Sequence, residues 1–312
     1  MKELQDIRRL LLEAREPLAL ATLVAVEGSG YRRPGARLLT DGHRVLRGSL
    51  SGGCLEGEVI GRAREALSDG HPRLLRYDLR GDADLVWGSG MGCEGVLTVR
   101  VDPLAPGALP PWLVQVAVAW EARHGVRLGH PPGLEGAPRL LGRDEPFPGF
   151  VEDLPPPLAL WIWGGDEDSR LLAQVAKALG WFVGIVDHRE AFVTAERFPD
   201  ADARVAGPSA RVVPGLPLDG RSAAVLLTHN YLKDLETLRL LLASRAGYLG
   251  LMGSRARCLR MREELGRSDP RLHAPVGLDL GSRAPEAVAL AILAEVQAVL
   301  EHGSARSLSV RA

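Results

Sequence analysis

Two cysteines of this chain stand among glycines, and these are the residues whose type and spacing best suggest chemistry. The first string is Gly48-Ser49-Leu50-Ser51-Gly52-Gly53-Cys54, with Glu56 just beyond it. Gly52 and Gly53 let the backbone curl with its N–H groups turned inward, and a helical pattern follows at once, so the turn favours an anion. A cysteine at a helix N-terminus also has its thiolate favoured, hence greater reactivity. Glu56, in the first turn, would cap that helix while opposing an external anion. The same string also reads as a tight turn around a small buried cysteine. The second string, Gly90-Met91-Gly92-Cys93-Glu94-Gly95, reads alone as a hairpin turn. Taken together, two such thiols could serve a metal, a persulfide or another soft ligand. They form no CxxC, so structural zinc is not expected. Cys258 falls in a helical pattern beside Leu259 and Met261, which assigns it to a core.

The second half carries its chemistry differently. Gly164-Gly165 follows an apolar run, and Asp187 stands about twenty residues on, where a ribose-binding acid of a dinucleotide site belongs. A G-x-G-x-x-G turn would need glycine at 166; Asp166, Glu167 and Asp168 stand there and repel a pyrophosphate. NAD(P) binding is therefore doubtful, although the fold signal stands. His229 follows an apolar run directly, with Asn230 beside it and Asp234 a turn on, which suits either a functional histidine or a capping one. Gly253-Ser254 opens another helix, as an anion-binding N-terminus or as a plain cap. Gly164, Gly165, Asp187, His229, Gly253 and Ser254 together make a candidate ligand site.

The elements that must position these residues change rhythm along the chain. An amphipathic helix opens it, with Leu4, Ile7, Leu10, Leu11 and Ala14 at helical spacing up to Pro17. Leu18 to Val26 is a continuous apolar run that suits a buried strand. Asp41-Gly42 between Arg37–Thr40 and His43–Leu46 signals a two-residue hairpin. A helix from about Val59 stops at Gly70, and Val96 to Val101 is a strand. Residues 103 to 157 are rich in proline and glycine, with one helix expected from Trp112 to Arg123, and Pro155-Pro156-Pro157 marks the domain boundary. Thereafter strands at 158–163, 181–186, 223–227 and 248–251 alternate with helices, the pattern of a parallel sheet with right-handed crossovers. The expected class is α/β: an N-terminal α+β domain over 1–154, then a Rossmann-like parallel-sheet domain over 155–312.

Charge and composition exclude several function classes. The formal net charge is -1, which gives no general pull toward nucleic acid or an acidic membrane. The longest apolar stretch, Ala287 to Leu300, is broken by Glu295 and Gln297 and is too short to span a bilayer. The amphipathic, acid-bearing N-terminus lacks the apolar run and small-residue cleavage site of a signal peptide, so none is expected. Three widely spaced cysteines fit a reducing compartment, so a cytoplasmic location is expected.

Several strings in order resemble the XdhC/CoxF family, the maturation factors of molybdenum hydroxylases such as xanthine dehydrogenase. They are Gly48 to Glu56, Gly90 to Gly95, Val186-Asp-His-Arg189, Arg197-Phe-Pro-Asp200, Thr228-His-Asn230, Gly250 to Arg255, and His273 to Gly281 followed by Pro285-Glu286. The resemblance implies a chaperone that binds molybdenum cofactor (molybdopterin), protects it while a cysteine desulfurase supplies its sulfido ligand, and passes it to an apo hydroxylase. It implies a maturation factor rather than a turnover enzyme, and a homodimer. Cofactor binding would then fall to Ser51, Gly52, Gly53, Cys54, Glu56, Gly92 and Cys93, with Cys54 and Cys93 near molybdenum or its sulfur. The chain departs from the family at Asp166, Asn230, Glu94 and around Arg257-Cys258, which touches the Rossmann face and spares both cysteines. Two other readings compete: an NAD(P)-dependent oxidoreductase using Asp187 and His229, and a non-catalytic interaction subunit with a degenerate Rossmann domain.

Overall fold

The computed structural model describes residues 1–53, 55–80, 95–281 and 284–310. Cys54, Gly92 and Cys93 lie outside the described residues. The chain divides into two compact units, Met1–Pro156 and Pro157–Ala312.

The first unit is built on strand β1 (Leu18–Gly28), the middle of a five-stranded antiparallel sheet. Its neighbours are β2 (Arg37–Thr40) and β5 (Gly95–Leu104), and β3 (Val45–Gly48) and β4 (Arg73–Asp78) form the edges, in the order β3-β2-β1-β5-β4. Successive side chains of a strand point to opposite faces. Ala19, Ala21 and Leu23 accordingly pack with Val59, Ala63 and Ala66 of helix α2 (Glu56–Asp69). Leu18 and Leu20 join Leu4, Ile7 and Leu11 of α1 (Lys2–Glu13), and Trp112, Leu113 and Val116 of α3 (Pro111–Glu121). Burial on both faces is why β1 reads as an unbroken apolar run rather than an alternating one.

Two local expectations differ from the structure. The β2–β3 connection spans residues 41–44 rather than two residues. The Asp41 carboxylate accepts from the N–H groups of His43 (2.8 Å) and Arg44 (2.9 Å), and the Thr40 hydroxyl donates to the Arg44 carbonyl (2.7 Å), so side chains close a longer turn than Asp-Gly alone would. The proline- and glycine-rich stretch after β5 also holds more than one helix. Beyond α3 it forms a three-stranded antiparallel sheet, β6 (Val126–His130), β7 (Arg139–Leu141) and β8 (Phe150–Leu154), in the order β7-β6-β8. Strands this short carry too few alternations to register as a pattern.

The second unit is a parallel sheet of β9 (Ala159–Trp163), β10 (Phe182–Asp187), β11 (Ala203–Ala206), β12 (Ser222–Leu226), β13 (Tyr248–Leu251) and β14 (Leu272–His273). Numbered from β9, the order across the sheet is 3-2-1-4-5-6, the doubly wound arrangement of a Rossmann domain. Leu160, Ile162 and Val225 face α4 (Glu167–Ala178) and α8 (Pro285–Leu300). Trp161, Trp163 and Leu226 face α6 (Tyr231–Leu242) and α7 (Arg255–Leu265), with the short helix α5 (Ser209–Val212) on the same side. Cys258 is buried in this second layer, as its helical context predicts. No helix among the described residues is long and apolar enough to cross a membrane.

Candidate functional site

The Ser49–Glu56 turn is an anion nest, and its anion is Glu56. That carboxylate accepts from the backbone N–H groups of Leu50 (3.1 Å), Ser51 (3.0 Å) and Gly53 (2.9 Å). It also accepts from the hydroxyls of Ser49 (2.9 Å) and Ser51 (2.5 Å). The Ser51 hydroxyl in turn takes the N–H of Leu55, and Ser49 takes that of Gly52. Burial alone would raise the Glu56 pKa; the hydrogen bonds from Ser51 and Ser49 outweigh it and bring the group from the usual 4.5 to about 2. The inward-turned donors expected from the glycines are thus present, but Leu50, Ser51 and Gly53 have spent them inside the chain. Gly52, at φ +78°, lies against the Tyr31 ring: a Cβ there would sit 3.0 Å from the ring edge.

The same unit holds a buried ionic cluster that local sequence reading does not reveal. Arg37 on β2 forms a two-pronged pair with Glu152 on β8, at 3.1 and 2.5 Å, and donates to the Gly35 carbonyl at 2.9 Å. His130 on β6 approaches the same carboxylate at 3.3 Å. Burial by itself would raise Glu152; the hydrogen bond with His130 and the charge of Arg37 prevail and lower it. A charged residue within Arg37-Leu38-Leu39 hints at a buried pair, yet its partner is more than a hundred positions away and leaves no local signal.

In the second unit, the ends of β9, β10 and β12 meet at the point where strand order reverses, the usual ligand position in such sheets. The structure brings Gly165, Asp187 and His229 together there around Asp166. The Gly165 N–H donates to Asp187 at 3.0 Å. A Cβ on Gly165 would meet the Phe192 carbonyl at 2.2 Å, so only glycine fits. Asp187 is further held by the Arg189 side chain at 3.0 and 2.7 Å and by the Arg189 N–H at 2.9 Å. Burial would raise its pKa, and Arg189 pulls it below the ordinary value. Asp166 caps α4 by accepting from the Ser169 N–H (3.4 Å) and hydroxyl (3.1 Å), and it faces His229 Nε2 at 3.5 Å. His229 itself adopts φ +55°, a left-handed conformation uncommon outside glycine and a mark of a functional or tightly constrained position.

Gly253 and Ser254 stand at the end of β13, where Ser254 is the cap of α7, taking the Arg257 N–H at 3.3 Å. Arg257 then reaches the buried Asp234 at 2.5 Å, which also accepts from Thr228 at 2.6 Å. This chain of contacts ties the β13 end to the β12 end. Burial raises the Asp234 pKa against the pull of Thr228 and Arg257.

At these strand ends the chain's own side chains take up the donors and the acid that a dinucleotide would use in such a sheet. Asp166 sits where a pyrophosphate would meet the helix, and Arg189 occupies the acid a ribose would use. A calorimetric titration with NADH or NADPH is therefore expected to show no micromolar binding. Micromolar affinity with a defined stoichiometry would overturn this reading.

Comparison with known proteins agrees with both halves. Residues 160–296 match the XdhC Rossmann domain, and residues 11–78 match the XdhC and CoxI family. The chain is 31% identical to a Bacillus subtilis protein described as a probable xanthine dehydrogenase subunit, over 92% of this chain and 94% of that protein. It is 29% identical to the molybdenum cofactor insertion chaperone PaoD of Escherichia coli, over 95% and 90% respectively. A crystal structure from Bacillus halodurans, described as a xanthine dehydrogenase, superposes with a TM-score of 0.79 at 26% identity, covering 99% of this chain and 98% of that one. Similarity at this identity, spanning both units from end to end, places the chain in the XdhC and CoxI family.

Proposed function

We propose that this protein is a molybdenum-cofactor binding and delivery chaperone, which holds the cofactor for sulfuration and hands it to an apo hydroxylase of the xanthine dehydrogenase type. The observation that carries the reading is the Ser49–Glu56 turn, shaped by five hydrogen bonds to one internal carboxylate. Cys54 follows Gly53 in sequence, and Cys93 stands in the second glycine string. Thiolates are soft ligands that suit molybdenum and its sulfur, and the residues on either side of Cys54 in sequence are already ordered by Glu56. Full-length similarity to an insertion chaperone supports the same role.

In this scheme the cofactor is cargo. Ser51, Gly52, Gly53 and Glu56 act by fixing the turn; Cys54, Gly92 and Cys93 supply the soft contact. A cysteine desulfurase is the sulfur donor, the working form is a homodimer, and the compartment is the cytoplasm. The strand ends of the second unit, with Gly164, Gly165, Asp187, His229, Gly253 and Ser254, are a surface shaped by internal ion pairs rather than a nucleotide site.

The test is cofactor retention. The protein is expressed in a host that makes molybdenum cofactor and purified without oxygen; the bound pterin is oxidised to its fluorescent form and counted per chain. Wild type is expected to carry pterin, and Cys54→Ala or Cys93→Ala to lose most of it with unchanged circular dichroism. Pterin absent from wild type, even when cofactor is added to the apo-protein, would replace this reading with that of an interaction subunit.

A further inference from the structure

The turn raises a question of charge. Molybdopterin carries a phosphate, yet the N–H groups of Leu50, Ser51 and Gly53 are already given to Glu56. An external phosphate needs other donors, and the first unit offers them next door. A cavity of about 410 Å³ is lined by Glu3, Tyr31, Arg32, Arg33, Arg37 and Glu152, among others. That size falls within the range of small-molecule sites. Tyr31 joins it to the turn, because the same ring that lines the cavity lies against Gly52.

The charges in this cavity do not cancel. Arg32 pairs with Glu3 at 3.1 Å, and Arg37 pairs with Glu152. Arg33 is left over: its side chain has no hydrogen bond or ion pair among the described residues. A guanidinium presents a planar fork that matches phosphate oxygens. Tyr31 is 68% exposed, which is unusual for so large a ring and leaves it open to stack on a flat heterocycle. The floor is rigid, since Arg37 and Glu152 hold each other and Gly35, at φ +94°, would drive any Cβ to 3.0 Å from the Glu152 carboxylate.

We propose that this cavity takes the phosphate-bearing end of the cargo, an organic phosphate joined to a flat heterocycle. Arg33 grips the phosphate and Tyr31 covers the heterocycle. The inference rests on the chaperone reading above, and it moves the phosphate from the Gly52-Gly53 turn to the arginine cavity. The turn is left to its thiol.

The experiment compares wild type with Arg33→Ala, Arg33→Lys, Tyr31→Ala and Tyr31→Phe, each as the full chain. Two readouts are taken: pterin carried per chain after anaerobic purification, and equilibrium titration of the apo-protein with molybdopterin at two salt concentrations. Both side chains are surface groups, so thermal midpoints are expected to match wild type. Arg33→Ala is expected to weaken molybdopterin binding by about ten- to a hundredfold and to flatten its salt dependence. Arg33→Lys should restore part of the affinity. Tyr31→Ala should cost about three- to tenfold, and Tyr31→Phe much less. Wild-type affinity and salt dependence in Arg33→Ala, with pterin still carried by wild type, would overturn this assignment and leave the chaperone reading in place. Absence of pterin from wild type in both readouts would overturn both.

Discussion

Glu152→Ala is expected to destabilise the first unit by about 3–5 kcal/mol, because it strands a buried guanidinium. The Arg37 side chain is 5% exposed and Glu152 is 16% exposed, so the stranded guanidinium meets little water when its partner is removed. Among the described residues, Arg37 would retain the Gly35 carbonyl and a distant contact, 5.3 Å, with the Trp112 ring. The loss should show as faster amide exchange at Leu20 to Leu23 in β1, which reports the first unit separately from the second. The paired replacement Arg37→Met with Glu152→Leu should recover part of it, since it removes the unmatched charge while buried His130 still loses its contact with Glu152. A single variant within about 1 kcal/mol of wild type would show that the cluster relaxes far more than its burial implies.

Glu56→Ala is expected to have the second large effect, confined to the turn. Three N–H groups and two hydroxyls lose their common acceptor, a local cost of about 1–3 kcal/mol once partial solvent exposure is allowed for. The amides of Leu50, Ser51 and Gly53 should lose their protection, and pterin retention should fall because the turn is no longer preset. Acid should mimic the substitution in wild type. The folded pKa lies below the unfolded one, so the contribution is complete above about pH 4.5 and disappears as pH falls toward 2. Protection of those three amides followed from pH 6 to pH 2 checks the sign. A turn that loosened as pH rose through 5 would contradict the assignment.

The two units differ in how far their architecture can be read from residues alone. In the second unit, runs such as Ala159–Trp163 and Ser222–Leu226 are buried at every position; Gly164 follows the first directly, and the helix cap Asn230 follows the second a few residues on. Periodicity of that kind is local, so the doubly wound sheet follows from it. Asp166 in place of glycine argues from charge against a pyrophosphate at this helix; that the same carboxylate caps α4 is visible only in the structure. The first unit hides more. β6, β7 and β8 are three to five residues long and lie amid prolines and glycines, and they become strands only because they pair with one another. Glu56 is recognisable as an acid in a first turn, but its capture of the nest depends on the three-dimensional curl of Ser49 to Gly53. The Arg37–Glu152–His130 cluster is invisible in sequence because each member comes from a different strand. Tyr31 and Arg33 carry no motif at all; a cavity and an unmatched charge single them out.

The pairing of β1 with β5 has a bearing on how the protein comes into being. Thr22 lies opposite Arg100, with β2, β3, α2 and β4 all strung between them. While the ribosome is still making α2, β1 can form its ladder with β2 on one side, and the other side remains an open row of unpaired backbone N–H and C=O groups until Gly95–Leu104 emerges. A contact closed so late along the chain slows folding and leaves a sticky edge in the meantime. Nascent chains too short to have released Gly95–Leu104 should therefore aggregate or recruit folding helpers, and those long enough to have released the whole first unit, Glu152 included, should not. On the reading proposed above, a protein that shelters another's cargo would itself begin life in need of shelter.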